Sequence, residues 1–300
     1  MSNEPSVVCF GEVLWDVLPD ETLPGGAPMN VAYHLNKLGI DTHLISRVGN
    51  DDQGRKLLSQ LASWQLSTKY CQVDNKFKTS EVIATEGDNF EMTYDILLPV
   101  AWDFIKYEES FDSLLEKADA LVFGSLAVRN ATSEKTLKSL LESAKYKVFD
   151  INLRSPHYST ITTRELLKKT DLLKLNGNEL MQVASWYDTT VNTPQDAVRF
   201  LQDDFNINEI IVTNGSRGST YITPEGIINQ EAYHVEVADT VGSGDSFLAG
   251  FLAKKLQGQT VKVALSYAAA LASFVTQNHG ACPQYTMDEL EQFKKLNEMD

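Results

Sequence analysis

The second half of the chain alternates short apolar runs with amphipathic segments, and this alternation constrains the fold more than any other feature of the 300 residues. Short apolar runs predict buried strands, whereas apolar residues three and four positions apart predict helices. The predicted strands lie at 120–123, 147–151, 171–175 and 209–213, and the predicted helices lie at 133–144, 164–169, 178–185 and 193–205. Strands alternating with helices predict a doubly wound, mostly parallel α/β sheet with helices on both faces, whose ligands bind at the carboxyl ends of the strands.

The first hundred residues begin with the same alternation and then depart from it. We predict strands at 7–10 and 42–48, helices from residue 29 or 30 to Gly39 and from 52 to 66, and a loop at 20–28. Residues 79–85 and 90–96 alternate polar and apolar side chains around the turn-forming residues 87–89, which predicts a β-hairpin. A hairpin inserted into a doubly wound fold is a candidate lid. No linker or repeat interrupts the chain, so we predict one domain over 1–300.

The balance of acidic and basic side chains limits which partners the protein is expected to bind. The chain has 41 acidic and 26 basic side chains and a formal net charge of -15, which would repel nucleic acid and anionic membrane surfaces. An anionic ligand must therefore be met by a local site, although acidity is also a general solubility device. We expect neither nucleic acid nor a membrane as a partner.

The cysteines and the first residues indicate a cytoplasmic protein. Cys9, Cys71 and Cys282 are few, odd in number and widely spaced, which is typical of reduced thiols. The segment 1–20 has only a four-residue apolar run and no basic flank, so it does not resemble a signal peptide. No apolar segment approaches the ~20 residues that span a bilayer.

A glycine-rich turn precedes a predicted helix late in the chain, at Gly242-Ser243-Gly244-Asp245. The first amides of a helix lack partners within it, and glycines let an anion approach the backbone closely. A carboxylate at this place would repel the anion, unless it takes a proton from a hydroxyl that attacks the anion. The alternatives are an ordinary turn and a helix cap. A dinucleotide-binding fingerprint is a weaker alternative, because the third glycine is missing and the turn comes late.

The stretch 239–247 resembles the second signature of the ribokinase (PfkB-type) carbohydrate kinase family, Asp-Thr-x-Gly-Ala-Gly-Asp-x-Phe, with Ser243 in place of alanine. The first signature of that family has a counterpart in 25–32, 38–39 and 47–54. The resemblance covers essentially the whole chain and is strongest to fructokinases. It implies a ribokinase-like fold with a small β lid formed by inserted strands around 12–24 and 79–104.

The resemblance also implies an activity, which is transfer of the γ-phosphoryl group of ATP to a primary hydroxyl of a sugar, with Mg²⁺ and with K⁺ as a further cation. Fructose is the leading acceptor; ribose, 2-keto-3-deoxygluconate and a nucleoside remain alternatives. A protein of a different class, which binds sugar and nucleotide without turnover, is a further alternative, and the intact Asp245 argues against it. In this interpretation Asp245 is the base, and the amides of residues 241–244, which include Gly242, Ser243 and Gly244, stabilise the developing charge.

By the same resemblance, sugar hydroxyls would be held by Asp16, Gly25, Gly26 and Asn30. Aspartate accepts hydrogen bonds, asparagine both donates and accepts, and paired glycines let a sugar ring lie against the backbone. A plain turn at the glycines and a helix cap at Asn30 are the alternatives.

Other matches concern the phosphates, the metal and the nucleotide. Arg154 resembles the arginine of the family's Asp-x-Asn-x-Arg element, which approaches the transferred phosphate, and a guanidinium offers paired donors to phosphoryl oxygens. Glu179 would reach Mg²⁺ through water, or else only cap a helix, and Asp239 would contact the monovalent cation. The residues expected along the nucleotide are Asn176, Thr213, Asn214, Gly215, Gly218, Asn278 and Gly280.

The predicted lid carries apolar side chains that we expect over the sugar or in a homodimer contact, namely Ile83, Phe90, Met92 and Tyr94. Packing on their own domain is the alternative. The sequence contains no P-loop, no His-Glu-x-x-His and no protein-kinase catalytic loop. The five histidines are scattered without metal-ligand spacing, and we assign none of them a catalytic role.

Overall fold

The computed structural model describes residues 4–86 and 92–297. The helices in these residues are α1 (Ala27–Lys37), α2 (Asp52–Ser63), α3 (Ser110–Lys117), α4 (Ala131–Ser143), α5 (Thr160–Leu167), α6 (Gly177–Ser185), α7 (Pro194–Phe205), α8 (Ser243–Leu256), α9 (Val261–Thr276) and α10 (Met287–Asn297). The strands are β1 (Ser6–Phe10), β2 (Leu14–Val17), β3 (Thr22–Gly25), β4 (Asp41–Gly49), β5 (Cys71–Asp74), β6 (Ser80–Glu86), β7 (Met92–Ile96), β8 (Ala120–Gly124), β9 (Lys147–Asp150), β10 (Leu172–Asn176), β11 (Glu209–Thr213), β12 (Ser219–Thr223) and β13 (Gly226–Gln230).

The main sheet of the described residues has nine strands in the order β13-β12-β11-β10-β9-β8-β1-β4-β5. All neighbours from β11 to β5 are parallel, and only the pairs β11–β12 and β12–β13 at one edge are antiparallel. The doubly wound, mostly parallel sheet predicted from the sequence is therefore confirmed. Strand order reverses beside β1, because the chain runs outward from β1 to β4 and later returns to its other side at β8, and such a point opens a crevice at the carboxyl ends of the strands.

A smaller sheet of four strands, in the order β3-β2-β6-β7, comes from two separate stretches of chain. It includes the predicted hairpin strands β6 and β7, which pair antiparallel. The loop predicted at 20–28 is wrong in part, because Thr22–Gly25 forms a strand paired with β2. This strand carries Pro24 and little apolar alternation, so pairing with its neighbour rather than local propensity determines its conformation. The turn 87–89, Phe90 and the side chains of Met92 and Tyr94 lie outside the described residues.

The main sheet is buried on both faces, as its continuous apolar strands require. In β1, Val8 and Phe10 belong to one apolar cluster, whereas Val7 and Cys9 belong to the other. The first cluster packs against α3 to α7, and the second packs against α1, α2, α8 and α9. No helix in the described ranges is long and apolar enough to cross a membrane.

Candidate active site

The site lies where β1, β9 and β10 end and where α1 and α8 begin. Helix α8 begins at Ser243, after Gly242 in a left-handed conformation with φ of 75°. Asp245 therefore lies in the first turn of α8, with 8% of its surface exposed. The side-chain amide of Asn30, on α1, donates a hydrogen bond of 2.8 Å to Oδ2 of Asp245. Two predicted residues that are far apart in the chain thus meet at the ends of two helices.

The environment of Asp245 changes its acidity. Burial raises the pKa of Asp245 to about 6, and Asp150 adds to the rise, while Lys174, the Asn30 hydrogen bond and Arg154 act against it. A carboxylate with such a pKa is ionised at neutral pH and is a stronger base than an exposed aspartate. This combination suits a group that accepts a proton in a reaction.

The predicted anion-binding amides are fewer than expected. Val241 N donates to Oδ1 of Asp239 at 2.9 Å, and Ser243 N donates to the carbonyl of Thr240 at 3.3 Å. Oδ2 of Asp239 accepts a further bond from Gly280 N at 3.0 Å, so that this side chain ties two loops together. Of the four amides, only those of Gly242 and Gly244 have no acceptor within the described part of the chain and remain available for an anion.

The predicted sugar-binding residues come together through the small sheet. Asp16 lies on β2, and Gly25 is the last residue of the adjacent strand β3. A Cβ at Gly25 would lie 2.1 Å from Oδ2 of Asp16, so only glycine leaves room for this carboxylate. Burial raises the pKa of Asp16 to about 6, and Arg154 lowers it while Asp245 raises it. The effect of the Asp245 charge on the pKa of Asp16 indicates that the two carboxylates lie near each other.

Sequence reasoning missed one acid of this crevice, Glu12. It lies two residues after the end of β1 and is 3% exposed, and its Oε2 atom has no hydrogen-bond partner in the described residues. Burial raises the pKa of Glu12 to about 7, and the charge of Asp245 adds to the rise. The signal in the sequence was a carboxylate placed just after a buried strand, where a strand opens into a site. The thiol of Cys282 also borders the crevice, at 3.4 Å from Oδ1 of Asn30.

Arg154 is exposed, and its side chain makes one long hydrogen bond, of 3.5 Å, to the carbonyl of Leu153. Its charge lowers the pKa of Glu12, Asp16 and Asp245 alike, so it faces the carboxylates from the solvent side. An arginine that is charged and weakly held can turn toward an incoming phosphate.

Lys174 and Asp150 form a buried ion pair beneath the site, and sequence reasoning assigned no role to either. Lys174 is the third residue of β10, between leucines, and its Nζ lies 2.7 Å from Oδ2 of Asp150 at the end of β9. Burial opposes the charge of Lys174, yet the carboxylates of Asp150, Asp245 and Glu179 outweigh it and raise the pKa of the ammonium. Lys174 therefore carries a positive charge within the site.

Asn176 and Glu179 form a reciprocal cap at the start of α6. Oδ1 of Asn176 accepts from the amides of Asn178 and Glu179, and Oε2 of Glu179 accepts from Asn176 N at 2.9 Å. Oε1 of Glu179 accepts from Leu153 N at 2.8 Å. Burial raises the pKa of Glu179. Glu179 is thus a helix cap whose oxygens retain lone pairs for a further ligand.

A cavity of about 540 Å³ adjoins the N-terminus of α8. Of the predicted nucleotide residues, Thr213, Gly215 and Gly218 line it, together with Ser243 and Gly244. Further walls come from segment 232–237 and from α9, which sequence reasoning did not assign to the site. Asn176, Asn214, Asn278 and Gly280 are not among the lining residues. The side chain of Asn278 instead donates to the carbonyl of Phe274 at 2.8 Å.

A larger groove, of about 900 Å³, lies at the opposite edge of the sheet, around the residues that begin the strands, including Ser6 and Asp41. The ligand edge of a parallel sheet is the carboxyl edge, and the predicted residues gather there, so the smaller cavity is the candidate functional one. Within the described ranges, no group of three or more His, Cys, Asp or Glu side chains could hold a metal ion.

The doubly wound sheet, the helix N-terminus with free amides and the buried aspartate beside a cavity are together the features expected of a kinase. A model of the pfkB family of carbohydrate kinases matches residues 5–287, so the chain belongs to that family and is a sugar kinase.

Relatives and solved structures agree with this assignment. The chain is 28% identical over 314 residues to a protein of Arabidopsis thaliana named "Probable fructokinase-5", with 94% of this chain and 95% of the relative covered. It is 29% identical over 268 residues to the ATP-dependent 6-phosphofructokinase of Thermoanaerobacterium thermosaccharolyticum, with 86% and 80% covered. A double-mutant fructokinase from Vibrio cholerae O395, solved with fructose, ADP and a potassium ion, superposes with a TM-score of 0.84 at 24% identity over 98% of this chain and 99% of that chain. The ribokinase-like fold is thereby confirmed.

Proposed function

We propose that this sugar kinase transfers the γ-phosphoryl group of ATP to a primary hydroxyl of an unphosphorylated sugar, with fructose as the leading acceptor. The observation that carries the proposal is the buried Asp245, hydrogen-bonded to Asn30 and next to two free amides of a helix N-terminus. A sugar-binding protein without turnover would have no use for a buried base beside an anion site.

In the proposed reaction the acceptor oxygen forms a bond to the γ-phosphorus while the bond from that phosphorus to the β-phosphate oxygen breaks, and ADP leaves. Asp245 accepts the proton of the acceptor hydroxyl. The amides of Gly242 and Gly244 donate to the oxygens of the transferred group, where charge develops. In a loose transition state the nucleophile keeps its proton until late, so a base with a pKa of about 6 suffices.

The residues present fit the cations that such a reaction requires. Mg²⁺ keeps most of its water and phosphate ligands, and Glu179 can reach it through water because each of its oxygens has a lone pair left. When bound, Mg²⁺ would supply positive charge that offsets the negative charge of the phosphates. Asp239 fits a K⁺ ion in the same way, since each of its oxygens accepts only one amide hydrogen.

The acceptor end favours a neutral sugar. Three carboxyl groups, those of Glu12, Asp16 and Asp245, face this part of the crevice, and the exposed Arg154 is the cation that acts on all three. A second phosphate on the acceptor would meet these acids. Fructose 6-phosphate is nevertheless the second candidate, because one relative is a 6-phosphofructokinase.

We further propose that residues 1–300 form one kinase domain in which the small sheet is a lid over the sugar. Ile83 on β6 is 38% exposed, and it is the described side chain that we would place in a homodimer contact through the lid. We propose a cytoplasmic location, because Cys9, Cys71 and Cys282 are free thiols.

The test is a coupled assay of ADP formation with ATP and Mg²⁺ over fructose, ribose, 2-keto-3-deoxygluconate, a nucleoside and fructose 6-phosphate. We expect the highest kcat/KM with fructose and little ADP without a sugar. A higher kcat/KM with fructose 6-phosphate would favour the second candidate. Binding of ATP and sugar by calorimetry, without ADP formation from any acceptor, would contradict the proposed catalysis.

A further inference from the structure

Lys174 reaches the anion site itself. A Cβ at Gly244 would lie 2.8 Å from Nζ of Lys174. In a helix the Cα–Cβ bond points back toward the N-terminus, so the space that glycine leaves open lies on the N-terminal side of Gly244. Gly244 is the second residue of α8. The ammonium therefore lies beside the first turn of α8, on the N-terminal side of Gly244 and near the anion site.

The hydrogen-bonding capacity of this ammonium is not used up. An ammonium group has three N–H donors. One bonds to Oδ2 of Asp150, and no second acceptor is found among residues 4–86 and 92–297. Lys174 is only 6% exposed, so water does not freely satisfy the other donors. Donors left over in a buried cation at a helix N-terminus suit an anion that binds there.

An ion pair alone does not explain why Lys174 and Asp150 are buried. Replacing a buried pair by neutral or apolar residues is often neutral or stabilising, so stability is a weak reason for such a pair. The other residues of β10 that face the two cores are leucines. Asp150 holds the lysine tip by one oxygen, while its Oδ1 atom has no partner within the described residues.

We propose that Lys174 is part of the anion site, and this proposal rests on the proposed phosphoryl transfer. The ammonium of Lys174 donates a hydrogen bond to an oxygen of the γ-phosphoryl group and neutralises charge as that group is transferred. Gly244 is required beside it because any side chain there would displace the ammonium. Asp150 is the positioning residue, which holds the lysine tip at the helix N-terminus.

The experiment compares Lys174→Met, Asp150→Asn and the double variant Lys174→Met/Asp150→Asn. If Lys174 only neutralises Asp150, the double variant removes both charges and should regain kcat. Under the proposal the double variant regains the melting temperature lost in Lys174→Met, but its kcat stays at least about 100-fold below wild type. Recovery of kcat to within about threefold of wild type would overturn the proposal. Lys254→Met, at the other end of α8, is the control and should leave kcat unchanged.

A binding measurement makes the test independent of turnover. Calorimetry with AMP-PNP and with AMP separates the phosphate end from the adenosine. Loss of Lys174 should weaken AMP-PNP binding about tenfold or more and leave AMP binding within about twofold, whereas equal effects on both would overturn the proposal. Failure of the wild type to bind AMP-PNP would instead contradict the proposed ATP dependence.

A second variant covers the case in which Lys174→Met does not fold. Gly244→Ala keeps the charge of Lys174, and the flexible lysine tip can give way to the new methyl group. This variant should fold and lose AMP-PNP affinity while retaining AMP affinity. Unchanged AMP-PNP affinity would overturn the proposal.

Discussion

At the scale of single residues, the site combines groups that a sequence reveals with groups that it hides. Asp245 and Asn30 lie in recognisable motifs, and the structure joins them at 2.8 Å. Glu12 and Lys174 carry no motif, because their role depends on which side chains reach the same crevice from different strands. A lysine between leucines in a predicted strand was the available signal, since an unpaired charge is rarely buried.

Asp16→Ala tests the acceptor side. A site built on polar groups loses several kcal/mol when one partner is missing and others are left unpaired, so fructose binding should weaken severely. ATP binding should survive. Calorimetry with fructose and with an ATP analogue measures both, and Asp20→Ala, which removes an exposed acid in the turn between β2 and β3, is the matched control. Unchanged fructose affinity in Asp16→Ala would contradict this placement of the sugar.

Glu12→Gln tests the buried acid through stability. The pKa of Glu12 is raised to about 7 in the folded protein, so the folded state binds this proton more tightly than the unfolded state. The resulting stability is complete below the unfolded pKa of 4.5 and is lost as the pH rises through 7. Glu12→Gln should therefore stabilise the ligand-free protein by about 3 kcal/mol at pH 8 and have little effect at pH 5.

Urea denaturation at the two pH values measures this difference in the free energy of unfolding. An equal loss of stability of Glu12→Gln at both pH values would mean that the carboxylate is needed for its hydrogen bonds and that burial does not destabilise its charged form.

At the scale of elements, the sequence predicted most strands and helices of the doubly wound sheet, because apolar runs and helical spacing are local signals. It missed α3 and α10, and α5 begins at Thr160, four residues before its predicted start. For β11 the predicted and observed bounds coincide at Glu209–Thr213. The sequence did not predict the edge strands β5, β12 and β13, and the last of these is largely exposed. Edge and lid strands bury little apolar surface of their own, so their pairing depends on neighbours that are distant in sequence.

The start of α6 gives a prediction at this scale. The two oxygens of Glu179 accept hydrogen bonds from Asn176 N and Leu153 N, and Glu179→Gln replaces one of these oxygens by an NH2 group. The loss of one acceptor should cost about 1–2 kcal/mol of stability. If Glu179 also reaches Mg²⁺ through water, the variant should need more Mg²⁺ and be rescued in part by excess Mg²⁺. Thr193→Ala, which removes the side-chain cap of α7, is the control for stability alone. The same Mg²⁺ dependence of kcat in both variants would leave Glu179 with its capping role only.

At the scale of the whole molecule, the site forms because residues that are far apart in the sequence come into contact. Asn30 and Asp245 are 215 positions apart, and Ala281 packs against Gly242, where a Cβ would lie 2.5 Å from the Cβ of Ala281. The buried His34 fixes this contact by its 2.9 Å hydrogen bond to the carbonyl of Ala281. Sequence motifs identified Asn30 and Asp245, whereas the cavity walls at 232–237 come from a segment that contains no recognisable motif.

The net charge of -15 opposes an anionic ligand at this scale as well. The two free amides of α8 and the ammonium of Lys174 provide the local positive potential that the molecule as a whole lacks. Binding of ATP therefore depends on a few short-range donors, which act at distances below a Debye length of about 8 Å at physiological salt.

The turnover number of Asp245→Asn tests the central claim most directly, measured with ATP and the best sugar of the acceptor panel, alongside the affinity for that sugar. Asparagine keeps the size and the contact to Asn30 but cannot accept the proton. We expect kcat to fall by about two to four orders of magnitude with little change in sugar affinity. In the wild type, kcat/KM should rise with pH up to about 6, because the raised pKa leaves Asp245 protonated below that value. A turnover number of Asp245→Asn within tenfold of wild type would contradict the assignment of Asp245 as the base.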